Sequence, residues 1–156
     1  FVRGQGVTMS LHAIAYVSQA RPELAPQELD ALLADATAFN RMAGVTGVLM
    51  FDGERFLQYL EGPRDGLDSV YGRVLNASRH HGVRQLAAAV VGTRRFPHWT
   101  MANRRIDPST MSHIIDAPWT GISADRPTAE QGLALLLRSW TGGDGELEPA
   151  AVSLGS

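Results

Sequence analysis

The stretch VTGVLMFDGERFLQYLEG, Val45 to Gly62, decides the fold. Asp52-Gly53 is the strongest hairpin signal in the chain, because glycine accepts the positive φ of a tight turn and apolar runs flank it on both sides. Two strands therefore meet at this turn. The second is apolar at both parities, so both of its faces need cover. It also places Gln58 between Phe56 and Leu60, on the same side as both. A buried amide left without partners costs on the order of 1–3 kcal/mol, so Gln58 requires polar company.

Working outward, LHAIAYVS (Leu11 to Ser18) reads as the first strand. His12, Ile14, Tyr16 and Ser18 lie on one face, with Ala13, Ala15 and Val17 on the other. PQELDALLADATAFNRMAG reads as a helix with Pro26 in its first turn, Leu29, Leu32, Leu33, Ala36 and Phe39 at helical spacing, and Gly44 as its stop. A second helix is predicted over PRDGLDSVYGRVLNASRHHG, with Leu67, Val70, Val74 and Leu75 inward and Gly82 at its end. VRQLAAAVVGTRR gives a fourth strand and HWTMANRRI a short fifth. Two shorter helices follow, PSTMSHIID and TAEQGLALLLRSW.

Strand-helix-strand-strand-helix-strand, with right-handed crossovers, predicts an α+β fold: a ferredoxin-like βαββαβ sheet with an added fifth strand and two C-terminal helices. Its first and third strands are then central neighbours, which sets Tyr16 beside Gln58. Leu133, Leu135, Leu136 and Leu137 of the last helix are the available cover for the second sheet face, a partner chain being the other. The expected division is 1–10 as a disordered lead-in before the core, 11–106 as the binding domain, 107–141 as a helical extension and 142–156 as a disordered tail.

Composition narrows the function. The 156 residues carry a formal net charge of -2, which gives no positive field for a nucleic-acid backbone. There is no cysteine, which removes disulfides, thiolate metal sites and thiol nucleophiles and fits a reducing, cytoplasmic setting. No apolar run approaches the roughly twenty residues needed to cross a bilayer. The carboxylates Asp52, Glu54, Asp65 and Asp68 sit in turns and helix starts, and Glu61 has the opposite parity to Gln58, so no acid–base pair forms. His80 and His81 are adjacent and share no helical face, which does not indicate a metal triad.

What remains is a set that converges. Tyr16 and Gln58 face the helix layer, and Asn40 lies on the last turn of the first helix. Trp99 and Met101 alternate on the last strand, Arg79 and His80 end the second helix, and Arg73 lies one to two turns earlier on it. Each has an ordinary reading: core tyrosine, helix-end asparagine, Trp/Met core pair, basic groups at a helix dipole's negative end. Together they describe a space where a flat, amide-rich heterocycle would satisfy Gln58 and Asn40 while apolar side chains stack on it. Periodicity alone does not identify that heterocycle.

At these residues the chain resembles the BLUF family, blue-light sensors using a flavin. The matching pieces are AYVS, FNRMAGVTGVL, RFLQYLEG, SRHHGV and RRFPHWTM, in order over Leu11 to Arg104. The resemblance implies FAD as cofactor, with FMN possible, and photosensing rather than enzymatic catalysis. It makes Tyr16 the electron and proton donor, Gln58 the switching amide and Asn40 the holder of the flavin's C4 carbonyl and N3 edge. Ser18 falls near the tyrosine–glutamine network, Arg79 and His80 close to the cofactor, and Arg73 where some members place an arginine toward the C2 carbonyl. Trp99 and Met101 match the pair whose placement varies with signalling state. Two positions depart from the family: Phe39 stands where many members have His or Asn, and Ala77 where an Asp often reaches the ribityl chain.

Two other classes stand beside this reading. One is an acylphosphatase-like phosphohydrolase using Arg21 and Asn40, although SQARPEL lacks a glycine-rich phosphate loop. The other is a cofactor-free interaction module. With no effector domain in the sequence, output is expected through a separate effector protein, and the apolar LALLLRSW predicts a homo-oligomer. No nucleic acid or membrane partner is expected.

Overall fold

The computed structural model describes residues 10–22, 25–76, 80–99, 101–122 and 128–141. In chain order the elements are β1 (Leu11–Ala20), α1 (Pro26–Ala43), β2 (Thr46–Phe51), β3 (Arg55–Pro63), α2 (Arg64–Leu75), β4 (His80–Val91), β5 (Ala102–Arg105), α3 (Pro108–Asp116) and α4 (Gly132–Thr141). The strands form one sheet in the order β4-β1-β3-β2-β5. β1 and β3 are central and antiparallel, and β5 adds to β2 in parallel. This is the ferredoxin-like core with a fifth strand and two C-terminal helices expected from the hairpin and its flanks.

The turn that decides the fold is held by its own residues. Gly53 takes φ 103°, and the Asp52 carboxylate accepts the N–H groups of Glu54 at 2.8 Å and Arg55 at 2.6 Å. Arg55 continues outward, donating to Ser112 Oγ at 3.0 Å, which ties the hairpin to α3. α1 begins at Pro26, whose missing N–H is no loss in a first turn. It ends at Gly44 with φ 74°, a left-handed cap that glycine adopts without strain.

The parity reading of the sheet holds. Ile14, Tyr16, Leu49, Phe56 and Leu60 pack with Leu32 and Leu33 of α1 and Leu67 and Val70 of α2. Ala13, Ala15, Val17, Val48, Leu57 and Tyr59 pack on the other face with Met111 and Ile114 of α3 and Leu133, Leu136 and Trp140 of α4. The leucines of α4 on which self-association was expected thus cover the chain's own sheet. Among the described residues, no helix is long and apolar enough to cross a membrane.

Four boundaries differ from the sequence reading. α2 stops at Leu75, not Gly82, because Asn76 turns its amide back to the Gly72 carbonyl at 2.9 Å and competes with the helix ladder. Leu75, expected inward, is 54% exposed at that fraying end. Residues from His80 instead pair with β1, and Gly82 lies inside β4 with φ 60°, near an irregularity in that pairing. α4 starts at Gly132 rather than Thr128, and β5 begins only at Ala102.

Candidate functional site

The site is built on the two central strands. Tyr16 and Gln58 are direct cross-strand partners in the β1–β3 register, and Leu49 of β2 opposes Gln58 from the other side. Both polar residues lie under the helix layer, Tyr16 at 0% and Gln58 at 2% exposure. Gln58 Nε2 approaches Met101 Sδ at 3.9 Å. The Tyr16 hydroxyl and Gln58 Oε1 are buried without a hydrogen-bond partner among the protein atoms. Burial, and secondarily neighbouring Tyr71, pushes the Tyr16 phenol well above its usual range, so it stays protonated at any physiological pH.

The helices contribute the remaining walls. Asn40 is buried on the last turn of α1, and Ser18 is buried on β1 at the same parity as Tyr16. Tyr71, on α2 at inward spacing with Leu67, Val70 and Val74, brings its ring centroid to 5.3 Å from that of Tyr16. Arg73 is exposed, and its guanidinium lies over the Phe39 ring at 4.8 Å, bridging α2 to α1 at the rim. Arg79 lies outside the described residues, as do Ala77, 1–9 and 142–156; of His80, only the backbone is described, opening β4.

Trp99 and Met101 separate more than a strand pair would. Both precede β5, so the two-residue spacing does not put them on one face. Met101 packs with Tyr16 in the helix-side cluster. Trp99 packs on the opposite side, its ring 6.0 Å from Phe96 and 5.9 Å from Trp140.

The sequence reading missed Tyr71, whose helical spacing was its only signal. It also gave Glu61 no role beyond its parity, yet Glu61 is fully buried and bonded to a neighbouring loop. Among the described residues, no group of His, Asp and Glu side chains is arranged to hold a metal ion.

A flavin fits these residues. Tyr16 offers a hydroxyl that donates or accepts, Gln58 an amide with an unused acceptor, and the walls are apolar and aromatic. A ring system with carbonyl oxygens and ring nitrogens along one edge is what such orphaned groups pair with.

The sequence profile of BLUF, sensors of blue-light using FAD, matches residues 11–102. The photoactivated adenylate cyclase subunit beta of Euglena gracilis is 32% identical over 95 residues, 60% of this chain and 11% of that protein. The blue light- and temperature-regulated antirepressor BluF of Escherichia coli (strain K12) is 29% identical over 86 residues, 55% of this chain and 21% of that protein. This chain therefore spans only a small part of either relative's length. Among solved structures, BlrP1 BLUF superposes with TM-score 0.62 at 30% identity, covering 88% of this chain and 95% of that one. Klebsiella pneumoniae BlrP1 with FMN and cyclic diGMP gives TM-score 0.55 at 36% identity, covering 62% and 26%. The chain belongs to the BLUF family of blue-light sensors.

Proposed function

We propose that the chain senses blue light through a flavin held against the helix-covered face of the sheet, with Tyr16 and Gln58 as the photoactive pair and FAD as the flavin. One observation carries this reading: two buried polar atoms, the Tyr16 hydroxyl and Gln58 Oε1, sit on facing residues of the central strands without a protein partner. Asn40 and Ser18 hold the polar edge of the ligand, and Arg73, Arg79 and His80 stand toward its outer parts. FMN is the alternative ligand, the flavin found with Klebsiella pneumoniae BlrP1.

When bound, the flavin supplies blue absorption and, once excited, a strong one-electron oxidant. The protein supplies the rest. Tyr16 remains a phenol because its anion is penalised by burial, so it gives up its electron together with its hydroxyl proton. In this reading Gln58, the cross-strand neighbour, would relay that proton at Oε1 toward the flavin that takes the electron, and electron and proton would both return to Tyr16 once the amide has turned. Rotation of its amide exchanges Oε1 and Nε2 and changes which neighbours it can serve. The thioether of Met101 accepts weakly and cannot donate, so the 3.9 Å contact holds only while Nε2 faces it. Breaking so weak a contact costs little, which suits a switch.

Met101 leads directly into β5. Arg104 of β5 donates to the Trp140 carbonyl of α4, and Trp99 packs on the Trp140 ring. A shift at Gln58 therefore reaches α4 as a change of population between two arrangements of this segment. Output then passes to a separate effector protein. The phosphohydrolase alternative loses its cation, because Arg21 pairs with Glu28.

Titrating flavin-free protein with FAD and with FMN tests the site. Saturable one-to-one binding, weakened by Asn40→Ala, is expected. Absence of saturable binding for both flavins refutes the proposal.

A further inference from the structure

β3 carries Gln58 on one face and, on the other, a group that the photoactive pair does not use. Glu61 is a carboxylate at 0% exposure. Its Oε2 accepts the Phe96 N–H at 2.6 Å, its Oε1 accepts the Tyr59 hydroxyl at 3.3 Å, and the Arg95 backbone N–H bonds it as well. The adjacent Arg94 guanidinium donates to Thr46 Oγ1 at 2.8 Å, the Gly44 carbonyl at 2.8 Å and the Glu61 carbonyl at 3.3 Å. The start of the 94–101 segment is thereby tied to the end of β3 and to the α1–β2 junction.

The far end of this segment is Met101, against Gln58 on the opposite face of the same strand. The two attachments are unequal. Glu61 receives several bonds, the one from Phe96 N–H short, that a carboxylate strengthens, whereas Met101 receives one long bond at a weak acceptor. When the segment moves, the Gln58 end yields and the Glu61 end is the pivot.

We propose that Glu61 is a positioning residue for the photoreaction: it fixes the pivot of segment 94–101, and so sets how readily Met101 leaves Gln58 and how fast the dark arrangement returns. This rests on the reading of Gln58 as the switching group. Protonating Glu61 replaces an acceptor with a donor among groups that can only donate, Phe96 N–H and Arg95 N–H, beside the Tyr59 hydroxyl. Tyr59, Arg94 and Arg95 are the titratable and charged groups facing it among the described residues. Burial raises the carboxyl above its usual range, and loosening the pivot breaks its hydrogen bonds while it stays buried. Protonation therefore favours the loosened segment at milder acidity than for an exposed glutamate, whereas global unfolding, which hydrates the carboxylate, is favoured by deprotonation.

The test uses flavin-loaded wild type and Glu61→Gln, with dark return after a blue flash followed across pH. Wild type is expected to return faster as pH falls through the carboxyl's raised range. Glu61→Gln is expected to return about tenfold faster near neutrality and to show no pH dependence in that window. In flavin-free Glu61→Gln, hydrogen exchange at the Phe96 amide should accelerate by a similar factor. If Glu61→Gln does not fold, Tyr59→Phe replaces it. Removing that donor raises the carboxyl further, so the acid limb should move to higher pH. A variant with the wild-type rate and pH profile overturns the positioning role alone. A wild type without any reversible shift overturns it together with the switching reading, whatever Phe96 exchange shows.

Discussion

Replacing Tyr16 with Phe separates two quantities that the structure ties to one oxygen atom. The ring is fully buried against Tyr71 and the β3 side chains, and phenylalanine keeps that packing without leaving a cavity. The hydroxyl has no protein partner, and a buried hydroxyl in that position costs about 1–3 kcal/mol. Flavin-free Tyr16→Phe should therefore be more stable than wild type by about 1–3 kcal/mol, one to two decades in the unfolding constant. Once flavin binds and the hydroxyl has a partner, that advantage should shrink. Urea unfolding followed by tryptophan fluorescence, with and without flavin, measures both values. The photoreaction should vanish in the same variant while flavin stays bound. A flavin-free Tyr16→Phe protein less stable than wild type would show that the hydroxyl is already satisfied, and would refute the reasoning that assigns it to a ligand.

Gln58→Leu should fold, bind flavin and lose the reversible red shift, which light-minus-dark absorption checks. Phe39→Asn removes the ring under Arg73 and should cost about 0.5–1 kcal/mol of stability at this rim bridge, while flavin binding stays equal or tightens; a flavin titration decides the second part. Glu61 gives a pH dependence of stability. Its folded value lies above the unfolded one, so the native state binds the extra proton, and stability should fall as pH rises from the usual carboxylate range through the raised value. Unfolding across that window should show the slope in wild type and lose it in Glu61→Gln. Leu136→Ala, at a fully buried position of α4, should cost about 2–5 kcal/mol and loosen α4 from the sheet, read by thermal unfolding and by Trp140 exposure.

The fold was legible because its signals were local and mutually consistent. Asp52-Gly53 set the hairpin, strict alternation in β1 set which face Tyr16 takes, and crossover handedness placed β1 against β3. The Tyr16–Gln58 pairing followed from those three facts without any long-range information. The end of α2 was less legible. Gly82 looks like a helix stop, but Asn76 ends the helix earlier through its own side chain, and sheet pairing with β1 recruits the residues from His80.

The placement of Trp99 and Met101 was hidden for a related reason. Two-residue spacing implies one face only within a strand, and β5 begins after both. Glu61 was legible as a polar residue at the wrong parity for Gln58. Its partners Phe96 and Arg95 lie more than thirty residues away and reach it through a loop that no periodicity describes.

The central claim is that Tyr16 and Gln58 switch around a light-excited flavin. Light-minus-dark absorption of flavin-loaded wild type and Tyr16→Phe tests it most directly. A red shift of the flavin band that reverses in the dark is expected in wild type and is expected to be absent in Tyr16→Phe with flavin still bound. No shift in wild type, or an undiminished reversible shift in Tyr16→Phe, would contradict it.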